Sequence, residues 1–124
     1  MTIDETILLV EDDASMREAI ERLLSAAGYL CFAFPSAEAL LQDSSSESAV
    51  CVVSDLRLPA MSGLDLLDSL RSRGRGVPFI LITAHDAPGM CEEAINRGAA
   101  AYLAKPFLGT TLLTTLRTVS RRTT

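Results

Sequence analysis

The sequence predicts an α/β domain: a doubly wound, five-stranded parallel sheet with helices on both faces. Three observations predict it. Short apolar runs recur along the chain, and several are apolar at consecutive positions, as strands covered on both faces are. Each run is followed by a stretch whose apolar residues repeat at helical spacing. The connections are short and rich in Gly, Pro, Asp and Ser. Strands that alternate with helices pair in parallel through right-handed crossovers.

The first strand is Thr6 to Val10, stopped by Glu11-Asp12-Asp13. From Ala14 the period becomes helical, with Met16, Ile20, Leu23, Leu24 and Ala27 on one face. Glu18 and Arg22 stand i,i+4 on the other, and Gly28 suits the position just past the helix. Tyr29 to Phe34 reads as the second strand, and Pro35-Ser36 opens a short helix carrying Ala39, Leu40 and Leu41. Ser44-Ser45-Ser46-Glu47-Ser48 reads as a surface loop. Ala49 to Ser54 is the third strand. The Pro59-to-Gly63 turn leads into a helix with Leu64, Leu67 and Leu70 inward, ended by Gly74 and Gly76. Val77 to Ile82 is the fourth strand. A weaker helix starts near Pro88-Gly89, with Met90, Ala94 and Ile95 inward, and ends at Gly98. Ala100 to Ala104 is the fifth strand. The last helix carries Leu112, Leu113, Leu116 and Val119 on its apolar side. Five such units fit the flavodoxin-like strand order 2-1-3-4-5, in which the first and third strands are neighbours at the switch point.

A chain of 124 residues suits one domain, with its core over about residues 6–120. It is long enough to fold without a disulfide or structural metal. The net charge of −5 and the absence of Trp argue against direct binding of nucleic acid. Cys31, Cys51 and Cys91 form no zinc or CxxC spacing, so a reducing, cytoplasmic setting is expected. No apolar stretch approaches the ~18 residues of a membrane span, and the acidic N-terminus lacks the pattern of a signal peptide.

Asp55 ends the third apolar run, and the carboxyl edge of a parallel sheet is where ligands collect. Two other loops reach that edge: Glu11-Asp12-Asp13, and Lys105-Pro106 after the fifth strand. Two carboxylates ~4 Å apart repel by about 4 kcal/mol at an effective dielectric of 20. A cation relieves this, and all-oxygen ligands at a hydrated site favour Mg²⁺ or Mn²⁺. Lys105 adds a point charge, and Thr83 a hydroxyl at the end of the fourth strand. A carboxylate nucleophile, a metal and a cation form a phosphoryl-transfer set, with Asp55 as acceptor. His85 has no metal partners nearby in sequence and reads as loop.

The motifs Leu9-Val10-Glu11-Asp12-Asp13, Asp55-Leu56-Arg57-Leu58-Pro59-Ala60-Met61-Ser62-Gly63, Thr83-Ala84 and Lys105-Pro106 occur in this order and spacing. In this the chain resembles the receiver domain of a bacterial two-component response regulator. Ser36-Ala37-Glu38, Met61-Ser62-Gly63 and Lys105-Pro106-Phe107 are similar to nitrogen-fixation-type (FixJ-like) regulators, whose receivers precede a LuxR-type DNA-binding domain. The resemblance implies that Asp55 is phosphorylated by a sensor histidine kinase. It implies that Mg²⁺ is held by Asp12, Asp55, the backbone carbonyl of Arg57 and, through water, Glu11. The register of the acidic triplet leaves Asp13 as a competing ligand or a helix cap. Lys105 and Thr83 would hold phosphoryl oxygens, Tyr102 would be the switch aromatic, and the Lys105–Pro106 peptide is expected to be cis. The surface of the fourth helix, fifth strand and fifth helix would then repack, controlling transcription or forming a phosphorylation-dependent homodimer. Such a domain is a signalling phospho-acceptor rather than an enzyme, catalysing only its own phosphotransfer and slow dephosphorylation. The DNA-binding output domain that the resemblance implies is expected to lie outside these 124 residues. Alternatives are a single-domain receiver acting on a protein partner, a phosphorelay intermediate, or a module that binds partners without phosphorylation.

Two other classes fit the residues less well. A haloacid-dehalogenase-type phosphatase carries its nucleophile after the first strand and needs a cap domain. A flavin carrier of this topology needs a first loop rich in Ser, Thr and Gly, where Glu11-Asp12-Asp13 would repel phosphate.

Overall fold

The computed structural model describes residues 5–43 and 48–121. Five apolar pentamers and tetramers become strands β1 (Thr6–Val10), β2 (Leu30–Phe34), β3 (Cys51–Asp55), β4 (Phe79–Thr83) and β5 (Ala101–Ala104). They form one sheet in the order β2-β1-β3-β4-β5, with every pairing parallel. The helices are α1 (Ala14–Ala26), α2 (Ala37–Leu41), α3 (Gly63–Ser72), α4 (Met90–Asn96) and α5 (Gly109–Arg121). The expected order and alternation are therefore observed, with several boundaries shifted by one or two residues. Of the polar loop expected over Ser44–Ser48, residues 44–47 lie outside the described residues.

The period-two geometry of a strand sends alternate side chains to opposite faces. Ile7, Leu9, Val53, Ile80 and Ile82 bury one face against Ile20 and Leu24 of α1 and Leu112, Leu116 and Val119 of α5. Leu8, Val10, Val52, Phe79 and Leu81 bury the other against α2, α3 and α4. This double cover is why the central strands carry no polar residue until their carboxyl ends, where Ser54, Asp55 and Thr83 are buried. Cys51 is a buried free thiol in this core.

Three caps fix where helices begin. Asp13 Oδ1 accepts the Met16 N–H at 3.0 Å, and Ser36 Oγ accepts the Ala39 N–H at 3.1 Å. In α3, Ser62 and Asp65 form a reciprocal capping box, with bonds of 3.1 and 3.2 Å.

Two expectations about packing are corrected, and a third is borne out and extended. Ile95 is 45% exposed, because seven-residue α4 buries Ala94 and, in part, Met90 against the core, and Ile95 lies about 100° further round from Ala94. Ala27 is exposed, because it is the C-cap of α1 and has left the apolar stripe. In α3, Leu66 is fully buried beside the expected Leu64, Leu67 and Leu70, so its apolar arc is wider than the i,i+3 reading allowed.

Candidate functional site

β1, β3 and β5 all end at one edge of the sheet, and the residues just beyond them meet there. Glu11 follows β1 directly. Its N–H donates to Phe34 O at 3.0 Å, and the Arg17 guanidinium donates to its carbonyl at 2.9 Å. With both backbone groups pinned, the Glu11 carboxylate is turned inward and is 1% exposed. Asp55, the last residue of β3, is also buried. Lys105 joins them: its Nζ donates to Glu11 Oε1 at 2.8 Å and to Asp55 Oδ2 at 3.0 Å. Asp55 Oδ1 accepts the Arg57 N–H at 3.1 Å. The Lys105 peptide is anchored by its N–H to Thr83 O at 2.7 Å, and the Lys105–Pro106 bond is cis, as expected.

Asp12 completes the cluster from the solvent side. One carboxylate oxygen each from Glu11, Asp12 and Asp55 lie within 4.8 Å of one another. Three carboxylates thus face one ammonium. The donor set is all oxygen, partly open to water and rich in negative charge, which suits a hard divalent cation such as Mg²⁺. Asp13 takes the other course left open by the triplet: it caps α1.

Burial pushes the Glu11 carboxyl above its ordinary range. The Lys105 bond opposes that rise, and neighbouring Asp55 adds to it. For Lys105, burial pulls the ammonium down, but the hydrogen bonds to Glu11 and Asp55 outweigh it and the net shift is upward. The lysine is therefore held charged between two carboxylates.

Thr83 is fully buried at the end of β4, and its hydroxyl oxygen accepts the His85 N–H at 2.9 Å. His85 is a loop residue here, as read from the sequence. Tyr102 lies on β5 beside Leu81 of β4, and its hydroxyl donates to Asp86 Oδ1 at 2.8 Å. Burial, together with the bond to Asp86, pushes the Tyr102 phenol up to about 12. The side chains of Thr83 and Tyr102, on paired strands, thus take no part in the hydrogen bonds of the Lys105 ammonium.

Sequence reasoning missed three supporting residues. Arg17 holds the Glu11 carbonyl, and nothing in its helical position marks it out from the other surface arginines. Asp86 holds the Tyr102 hydroxyl. Gly63 was legible only as the end of a turn. A Cβ there would stand 2.3 Å from the Asp55 carbonyl oxygen and 2.8 Å from Leu81 Cδ2, so only glycine lets α3 start against the acceptor strand.

The model of the response regulator receiver domain family matches residues 7–117. The chain belongs to that family. The receiver domain is 42% identical over 107 residues to the response regulator protein FleR of Pseudomonas aeruginosa, covering 86% of this chain and 23% of FleR. It is 36% identical over 107 residues to the transcriptional regulatory protein FixJ of Bradyrhizobium diazoefficiens, covering 86% of this chain and 52% of FixJ. The chain thus spans about half or less of the length of these curated relatives. The crystal structure of FixJ-N superimposes with a TM-score of 0.87 at 32% identity, covering 97% of this chain and 96% of that one. This is a receiver domain of a two-component response regulator, with the five-stranded order and the FixJ-like character expected from its motifs. Among the described residues no helix is long and apolar enough to cross a membrane.

Proposed function

We propose that this receiver domain, spanning residues 1–124, accepts a phosphoryl group on Asp55 from a phosphohistidine of a sensor kinase, in a Mg²⁺-dependent (or Mn²⁺-dependent) reaction. The observation that carries the reading is the convergence of Glu11, Asp12 and Asp55 from two strand ends on Lys105 from a third. A buried carboxylate beside an ammonium and two further carboxylates has little structural use, since that charge balance costs stability. It has a chemical one, because it assembles a nucleophile and the groups that neutralise an incoming phosphoryl group.

In the proposed step an Asp55 carboxylate oxygen attacks phosphorus while the histidine nitrogen–phosphorus bond breaks, and the imidazole recovers its lone pair. The Arg57 N–H orients the Asp55 carboxylate through Oδ1, and Lys105 stands within reach of the oxygens that become negative. Thr83, at the end of the neighbouring strand, offers its hydroxyl to a phosphoryl oxygen. Asp12, Asp55 and the Arg57 carbonyl would hold the cation directly, with Glu11 acting through water. When bound, Mg²⁺ offsets the repulsion between these carboxylates and phosphate oxygens. Hydrolysis of the acyl phosphate by water returns Asp55 and closes the cycle, so the domain signals rather than turns over a substrate.

The proposed output rests on the roles of the relatives. FixJ is a transcriptional regulator, and by analogy this receiver controls a DNA-binding domain in the cytoplasm. Modification at Asp55 would shift Thr83 and Tyr102 and repack the α4, β5 and α5 surface, changing its partner or allowing a homodimer. Incubation with acetyl phosphate and Mg²⁺, read by intact mass, tests the reading. One phosphoryl adduct on the wild type and none on Asp55→Asn is expected. No wild-type adduct, or an equal adduct on Asp55→Asn, would refute it.

A further inference from the structure

The four residues that leave β4 carry two hydrogen bonds that belong to different parts of the molecule. At their start, buried Thr83 accepts the His85 N–H through Oγ1 at 2.9 Å. At their end, Asp86 Oδ1 accepts the Tyr102 hydroxyl at 2.8 Å. The two bonds sit on consecutive residues, His85 and Asp86, so the loop cannot move at one without moving at the other. β4 and β5 are paired through Leu81↔Tyr102 and Thr83↔Ala104, which fixes the backbone under both ends. The freedom that remains lies in the loop and the two side chains. Tyr102 is half-buried against the α2, α3 and α4 side of the core, while its hydroxyl reaches the exposed carboxylate. Among the described residues no other hydrogen bond holds the phenol, so the Asp86 contact selects its orientation.

We propose that Asp86 is a positioning residue: its carboxylate latches Tyr102 at the surface and ties that orientation to the loop conformation in which Thr83 is engaged with His85. The proposal rests on the reading of Asp55 as phospho-acceptor. A phosphoryl oxygen on Asp55 would accept the Thr83 O–H, and carrying that side chain toward it draws Oγ1 away from the His85 amide and pulls on Asp86 beyond it. By linkage the effect runs both ways, so loosening the latch must change the affinity of the acceptor site by the same factor that filling the site loosens the latch. The latch stabilises the unmodified arrangement, so its removal favours the modified one.

The test measures the binding constant of beryllofluoride, a phosphoryl mimic, in the presence of Mg²⁺. It compares wild type, Asp86→Ala, Asp86→Asn, Tyr102→Phe and the Asp86→Ala/Tyr102→Phe pair. All of these positions lie away from the acidic cluster. Asp86→Ala is expected to bind at least threefold more tightly than wild type. Asp86→Asn keeps an acceptor oxygen and should stay close to wild type. In the Tyr102→Phe background, which lacks the donated proton, Asp86→Ala should have no further effect. Equal or weaker binding by Asp86→Ala, or the same gain with Tyr102→Phe present, overturns the latch while leaving the acceptor reading in place. No binding by wild type removes the acceptor reading, and the latch with it.

Discussion

Replacing Asp12 by Asn should stabilise the receiver domain when no divalent cation is present. Oxygens of Glu11, Asp12 and Asp55 lie within 4.8 Å of one another, a separation at which two unit charges repel by about 3.5 kcal/mol at an effective dielectric of 20. Asp12 is exposed, so solvent reduces each repulsion to about 1 kcal/mol, and the attraction of Asp12 to Lys105 cancels one of the two. The net expectation is a gain of about 1 kcal/mol for Asp12→Asn in EDTA, read as a higher urea midpoint at unchanged slope. Added Mg²⁺ should reverse the comparison. At ten times its Kd the ion stabilises the wild type by about 1.4 kcal/mol, and it should do little for the variant. Lower stability of Asp12→Asn in EDTA, or an equal response of both proteins to Mg²⁺, would refute the electrostatic account of the site.

Three further outcomes are expected. Gly63→Ala should cost about 2–4 kcal/mol in urea, because its Cβ would lie 2.3 Å from the Asp55 carbonyl and must displace the capped start of α3; a loss under about 1 kcal/mol would show that α3 yields freely. Ala60 holds a left-handed φ of 61°, so Ala60→Gly should raise stability by about 0.5–1 kcal/mol, after the entropy of glycine offsets part of the relieved strain. In EDTA, Glu11 titrates above its ordinary 4.5 in the folded state, so the folded protein binds more protons than the unfolded chain in that window. Its contribution to stability therefore falls as pH rises from 4.5 through the raised value, and Glu11→Gln should flatten that slope in a urea series across pH.

The fold was legible because double cover forces a simple code: consecutive apolar residues for strands, a 3.6 period for helices, and turn residues between them. The code failed where burial departed from pattern. Ile95 is apolar yet exposed, since α4 is too short to bury more than one residue deeply. Phe32 and Leu30 are also exposed, because β2 is an edge strand. At the site, Asp12, Asp55, Lys105 and Thr83 could be named because each ends a strand or lies just beyond one, and parallel strands deliver their ends to one edge. The motif's register favoured Asp12 but left Asp13 open as a competing ligand or a cap. In the fold Asp13 accepts the Met16 amide as the cap of α1, while Asp12 lies with Glu11 and Asp55. Arg17, Gly63 and Asp86 act through contacts with distant backbone or with another strand, which spacing along the chain does not encode.

The most direct measurement is to map the modified residue after phosphorylation with acetyl phosphate and Mg²⁺. Borohydride cleaves an acyl phosphate and reduces the aspartyl carbonyl to an alcohol, leaving homoserine that peptide mass spectrometry locates. Homoserine at position 55 and nowhere else is the predicted result. Homoserine at position 12 or 13, or an unreduced phosphorylated protein, would contradict the assignment of Asp55 as the acceptor.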